Sequence, residues 1–180
     1  MIAEAAWQEF SLRKVLFIPS GDTPNKDMHH IDKNIRYAMV EKAIEGNGHF
    51  MISPIERDRQ GPSYTVDTIR ILQREFGDDY EFYFICGTDA VADLPTWKYN
   101  RELLSSCHFI CASRPGNEIE IQKSIDYFGE LGREKIHFLK TPELAISSTI
   151  LRDWIAEKRS VRYLIPDAVI DMIRSNKLYE

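Results

Sequence analysis

The sequence predicts an α/β fold, a doubly wound parallel sheet with helices on both faces, in a single domain over residues 1–180. Three observations predict it. Apolar runs such as Val15-Leu16-Phe17-Ile18 and Phe82-Tyr83-Phe84-Ile85-Cys86 are short and continuous, as in strands buried on both faces. The stretches between them carry apolar residues near helical spacing. Strand-like and helix-like segments alternate along the chain, the pattern of parallel strands joined by helical crossovers.

Each element follows in order. Residues 2–10 read as a short helix with Ile2, Ala5, Ala6 and Phe10 on one side. The first strand, 15–18, stops at Pro19, and Ser20 to His30 is a loop. A helix over 32–45 places Ile35, Met39 and Ala43 on one face, and Phe50-Met51-Ile52 is the second strand. Residues 65–76 form a helix through Val66, Ile69, Leu72 and Phe76. The third strand, 82–86, leads through Gly87-Thr88 into a short helix, and another helix covers 100–106. The fourth strand runs from Cys107 to Ala112, and Pro115-Gly116 breaks the chain. A helix over 118–129, a strand over 136–139 and helices over 148–158 and 166–176 complete the chain, with Pro166 suited to the first turn of the last.

Composition narrows the function class. Hydrophobic residues make up 43% and charged residues 28%, ordinary for a globular protein. No apolar run reaches the ~20 residues of a membrane span. The start, Met1-Ile-Ala-Glu-Ala-Ala, lacks the basic region of a signal peptide, so a cytoplasmic location is expected. Cys86, Cys107 and Cys111 lie within apolar runs without a C-x-x-C pair and read as reduced core thiols. The net charge of −5 without a basic block argues against nucleic-acid partners. A phosphorylated ligand remains compatible, since a few placed donors hold it. His29-His30 are adjacent in a polar loop with no companion ligand, and His49, His108 and His137 each stand alone, so no metal site is expected.

In doubly wound sheets ligands bind beyond the carboxyl ends of the strands. There the first strand is followed by Gly21, giving backbone freedom, and Lys26, a point charge suited to phosphate; taken alone, the segment reads first as a plain surface loop. Ser63 or Thr65 is a natural N-cap, and the free amides behind it suit a carboxylate or phosphate; simple capping is the alternative. Gly87-Thr88-Asp89 puts a carboxylate at a helix start, where it can cap or accept from ribose hydroxyls. Trp97 can stack on a flat ring or merely cover core. Arg114-Pro115-Gly116 follows the fourth strand. Ser147, Ser148 and Thr149 open a helix with Arg152 one turn in, combining hydroxyls, free amides and a guanidinium fork.

Taken together, these segments resemble the bacterial nicotinate-nucleotide adenylyltransferases of the nucleotidyltransferase α/β superfamily. The matching segments are Val-Leu-Phe-Ile-Pro-Ser-Gly21, Lys26, Glu56-x-x-Arg59, Ser63-Tyr-Thr-Val-Asp-Thr68 and Phe-Ile-x-Gly87-x-Asp89. Trp97, Arg114-Pro-Gly, Ile146-Ser-Ser-Thr-x-x-Arg152 and Arg162-Tyr-Leu-Ile-Pro-Asp-Ala-Val follow in family order. The resemblance implies a Rossmann-like fold and adenylyl transfer from ATP, with Mg²⁺, to nicotinate mononucleotide, giving nicotinate adenine dinucleotide and pyrophosphate. It implies Trp97 stacked on the nicotinate ring, the amides of Thr65 and Lys98 on its carboxylate, and Arg114 facing the mononucleotide phosphate. Gly87 and Asp89 would meet the ATP ribose and adenosine. Ser147, Ser148, Thr149 and Arg152 would cradle the triphosphate, with Arg152, Ser148 and Lys26 as the catalytic group.

The chain also departs from the family. Family members open with an apolar strand, a Gly-Gly-Thr-Phe-Asp-Pro-type loop and a His-x-Gly-His motif; this chain begins inside the helix after them, and Asn25 stands where the family usually has a histidine. The fold is therefore expected to lack its first, central strand, with neighbouring strands closing the gap or a second subunit covering the edge as a homo-oligomer. Two other readings stand beside the enzyme: a catalytically inactive nucleotide-binding relative, which the missing histidines favour, and an adenylyltransferase acting on nicotinamide mononucleotide. A phosphopantetheine substrate is disfavoured, having no planar ring for Trp97.

Overall fold

A computed structural model describes residues 1–21, 31–113, 118–141 and 146–179. Its backbone contacts divide the chain into two units. The first comprises residues 1–13 and 64–143, the second residues 14–63 and 144–180.

The first unit is built on three parallel strands, β3 (Tyr83–Gly87), β4 (His108–Ser113) and β5 (Ile136–Lys140), with β4 in the middle. The strands of the second unit, β1 (Val15–Phe17) and β2 (Phe50–Ile52), also pair in parallel. Sequence patterning anticipates parallel pairing throughout. The structure distributes it over two sheets, where one was expected.

Successive residues of a strand face opposite sides of a sheet. Phe109 and Ile110 on β4 are both fully buried, so both faces are covered, as the unbroken apolar runs require. On one side Ile110 joins Leu139 and Ala6 of helix α1 (Ile2–Glu9), with Ala5 and Phe10 packed around them. Phe109, on the other side, meets the rings of Phe84 and Trp97. Helices α4 (Thr88–Asp93), α5 (Asn100–Ser106) and α6 (Glu118–Phe128) supply further fully buried residues, Val91, Leu103, Leu104 and Ile121. Burial pushes the thiols of Cys86 and Cys107 up to about 12 and that of Cys111 up to about 11, so all three stay protonated at neutral pH.

Helix α3 (Thr65–Phe76) matches its expected span, and Val66, Ile69 and Leu72 of its stripe are buried. Phe76, the fourth stripe residue, is exposed at the helix end. One helix was not anticipated: α7 (Glu130–Lys135), six residues long, follows a left-handed turn at Gly129 with φ 67°. A Cβ on its Gly132 would lie 2.6 Å from the Ile125 carbonyl of α6, so only glycine allows the two helices this close.

In the second unit α2 (Lys33–Ile44) packs with α9 (Asp167–Ser175). Asp32 caps α2, its Oδ1 accepting from the Asn34 amide at 2.8 Å, and that bond holds its carboxyl below the usual range. The expected stripe of α2 is weaker than the sequence suggests: Ile35 and Met39 are half-buried and Ala43 is exposed. Pro166 is the N-cap of α9 and lies just before its first turn. The remaining helix is α8 (Ser148–Ala156).

Candidate functional site

In the first unit the expected pyridine-binding residues gather at the start of α3 and the turn after α4. The N-cap of α3 is Tyr64, which makes no side-chain capping bond. Neither Ser63 nor Thr65 caps the helix, against the expectation for that motif. The opening amides of Thr65 and Val66 lack intrahelical acceptors by geometry, and the helix dipole favours negative charge there.

Trp97 ends the single 3₁₀ turn Leu94–Thr96, its amide donating to the Leu94 carbonyl at 3.0 Å. The ring is half-buried, edge-on to Phe84 at 5.9 Å and Phe109 at 6.3 Å. Trp97 thus covers core and still has an exposed part. Beside it Lys98 places Nζ 4.4 Å from the centroid of Tyr64. This contact brings the Trp97 turn to the start of α3. Arg70 holds the two segments together: its guanidinium forks onto Glu102 at 2.7 and 2.8 Å, bonds Asp67 at 2.8 Å and lies over Tyr99 at 5.2 Å.

Gly87 ends β3 and is the N-cap of α4. Its φ of −86° is open to any residue, and a Cβ there would meet nothing within 4 Å. The fold therefore does not demand glycine here, whereas a ligand lying close to the backbone would. Asp89 is exposed in the first turn of α4.

In the second unit Ser147 caps α8, its Oγ accepting from the Ile150 amide at 3.1 Å. Ser148 and Thr149 are exposed in the first turn. Arg152, one turn on, donates to Thr149 Oγ1 at 3.3 Å. Hydroxyls, free amides and guanidinium thus share one helix end, as an anion site requires.

Gly21 lies in the loop leaving β1. A Cβ on it would fall onto the Glu56 carbonyl and lie 3.1 Å from Ser63 Oγ, so close approach makes glycine obligatory there, not backbone freedom. Arg36 fixes this turn by donating to the Ser20 carbonyl at 2.6 Å, Ser20 Oγ at 3.1 Å and the Gly21 carbonyl at 3.0 Å. Lys26, His29-His30 and Arg114 lie outside the described residues.

Histidines expected to stand alone do not. His108 Nδ1 and His137 Nε2 are 2.8 Å apart, and Lys135 Nζ lies 3.0 Å from His108 Nε2. Among the described residues no three His, Cys, Asp or Glu side chains form a group able to hold a metal ion. Nor is any described helix long and apolar enough to cross a membrane.

The cytidylyltransferase-like family model matches residues 1–153. The probable nicotinate-nucleotide adenylyltransferase of Moorella thermoacetica is 44% identical over 179 residues, covering 98% of this chain and 82% of that protein. The protein of the same name from Thermoanaerobacter sp. is 41% identical over 180 residues, covering 99% and 85%. Among solved structures, Plasmodium falciparum nicotinic acid mononucleotide adenylyltransferase complexed with NaAD aligns with a TM-score of 0.75 at 19% identity, over 99% of this chain and 90% of that one. Its complex with APC aligns with a TM-score of 0.72 at 18% identity over the same shares. At these identities the structures speak for the fold, which is Rossmann-like.

Proposed function

Because the chain belongs to the nicotinate-nucleotide adenylyltransferase family, within the cytidylyltransferase-like proteins, we propose that it joins the adenylyl group of ATP to nicotinate mononucleotide. A phosphate oxygen of the mononucleotide attacks the α-phosphorus of ATP in line. One P–O bond forms, the bond to the β-phosphate bridge breaks, and pyrophosphate leaves. No covalent enzyme intermediate is needed, so the work of the protein is positioning and charge stabilisation.

The observation that carries the acid-specific reading is the uncapped start of α3 beside Trp97 and Lys98. A nicotinate carboxylate there would accept from the Thr65 and Lys98 amides while its ring stacks on Trp97. The neutral amide of nicotinamide gains nothing from the helix dipole, worth about 0.3–1 kcal/mol to an anion. Gly87 leaves room for the ATP ribose, and Asp89 accepts from its hydroxyls. Ser147, Ser148, Thr149 and Arg152 would receive the triphosphate, with Arg152, Ser148 and Lys26 as the catalytic group, and Arg114 would face the mononucleotide phosphate.

Nucleotidyltransferases generally use a divalent metal. Mg²⁺ enters here as the ion of the ATP substrate, held mainly by phosphate oxygens and water. We place the reaction in the cytoplasm, with no nucleic-acid or membrane partner.

Titration with the dinucleotide product tests the reading. Nicotinate adenine dinucleotide should bind more tightly than its nicotinamide counterpart. Equal affinities would remove the basis for acid selection.

A further inference from the structure

We propose that Arg59 and Ser63 form a buried oxyanion site for a phosphoryl group of the substrates, an inference that rests on the adenylyl-transfer reading for the identity of its ligand. Arg59 lies in the loop between β2 and α3. All three of its guanidinium nitrogens are out of contact with solvent, and none has a hydrogen-bond partner among the described residues. Ser63 Oγ, four residues on, is also buried without a partner among the described residues.

An unpaired charge removed from water is costly enough to matter against the marginal stability of a folded domain. Arg is almost never buried unless paired. The carboxylate next to it in sequence, Asp58, is already held by Arg57 at 2.7 and 3.3 Å. Arg57 in turn lies over the Tyr37 ring at 4.3 Å. No described group is hydrogen-bonded to the Arg59 guanidinium.

The surroundings fit a ligand there. Gly21 is pressed against the Glu56 carbonyl with Ser63 Oγ close by, and Arg36 pins the Ser20-Gly21 turn. Ser63 therefore lies beside the turn by which the chain leaves β1, at the carboxyl end of a parallel strand, the usual ligand edge of such sheets, and Arg59 precedes it by four residues. A guanidinium fork binds two oxygens of a phosphoryl group, and a hydroxyl donor takes a third. That donor set suits a tetrahedral phosphate better than a planar carboxylate.

The test compares the unaltered chain with Arg59→Met and Arg59→Lys. Titration calorimetry would use inorganic pyrophosphate, ATP and nicotinate mononucleotide as separate probes, with melting temperatures of the free proteins beside them. Arg59→Met should melt no lower than the unaltered chain, because it removes an unpaired buried charge, and should lose at least about tenfold in affinity for a phosphate probe. Loss confined to the mononucleotide assigns the site to the acceptor phosphate; loss for ATP and pyrophosphate assigns it to the triphosphate. Unchanged affinity for all three probes overturns the proposal, whatever the melting temperature. If Arg59→Met fails to fold, Arg59→Lys decides: an affinity reduced at least about threefold supports the fork, and unaltered affinity overturns it. If the unaltered chain binds pyrophosphate through Arg59 but neither nucleotide, the adenylyl-transfer reading falls and the anion site stands. If it binds none of the probes, both fall.

Discussion

His108 Nδ1 lies 2.8 Å from His137 Nε2, and the Lys135 ammonium lies 3.0 Å from the other nitrogen of His108. An ammonium only donates, so His108 Nε2 accepts and His108 Nδ1–H donates to His137. Both imidazoles are thereby held neutral. Burial lowers the pKa of His108, helped by Lys135 and His137; burial and then Lys135 lower that of His137.

The sign of the pH effect follows. Both groups take up protons near 6.5 when unfolded but only at lower pH when folded. Between those values the unfolded chain binds more protons, so stability rises with pH there. It should be steady above about pH 6.5, fall as the pH drops below that, and level off once the pH is below the lowered folded values. Melting curves from about pH 8 to about pH 5 check this, with His108→Gln/His137→Gln as reference. The double variant should show a shallower fall; identical slopes would show that the pair does not titrate as described.

Two glycines should respond in opposite ways. Gly21→Ala forces a Cβ onto the Glu56 carbonyl and should destabilise by about 2 kcal/mol or more. Gly87→Ala meets open space and should change stability by less than about 1 kcal/mol while weakening ATP binding. Chemical denaturation and ATP titration measure the two effects. An unaltered ATP affinity in Gly87→Ala would remove Gly87 from the nucleotide site.

Trp97→Ala should raise the dissociation constant for nicotinate mononucleotide by about tenfold, some 1.4 kcal/mol of lost stacking and contact. ATP binding should move by less than about twofold. Equal losses for both ligands in calorimetry would mean that Trp97 serves only the core beside Phe84 and Phe109.

Ser147→Ala removes the Oγ that accepts from the Ile150 amide. It should cost about 1 kcal/mol by denaturant titration, and Ser147→Asp should restore most of it. A neutral Ser147→Ala would mean that the α8 cap adds nothing to stability.

Much of the fold is legible because its signals are local. The stripe of α3 and the apolar runs of β3 and β4 announce themselves, and α3 and α5 fall on their expected residues. Helix α7 escaped because six residues with a central glycine carry no stripe. The cap of α3 misled because two hydroxyl residues flank a tyrosine that takes the position and leaves the amides free. The histidine pair depends on the register of β4 against β5, which aligns Ile110 with His137 and is not written in either strand alone. The candidate residues of α8, the Trp97 turn and Gly87 were picked out by their spacing and family resemblance, and the structure puts them at a helix start, a turn and a strand end. Arg59 was visible only as part of a motif, since nothing in a polar loop signals that its guanidinium is buried.

The most direct test is pyrophosphate release from ATP and Mg²⁺ by this chain, with nicotinate mononucleotide and nicotinamide mononucleotide run side by side. Adenylyl transfer to the acid predicts release that requires the mononucleotide and is severalfold faster with the acid than with the amide. Release that ignores the acceptor, or none at all from a folded chain that binds both substrates, would contradict it.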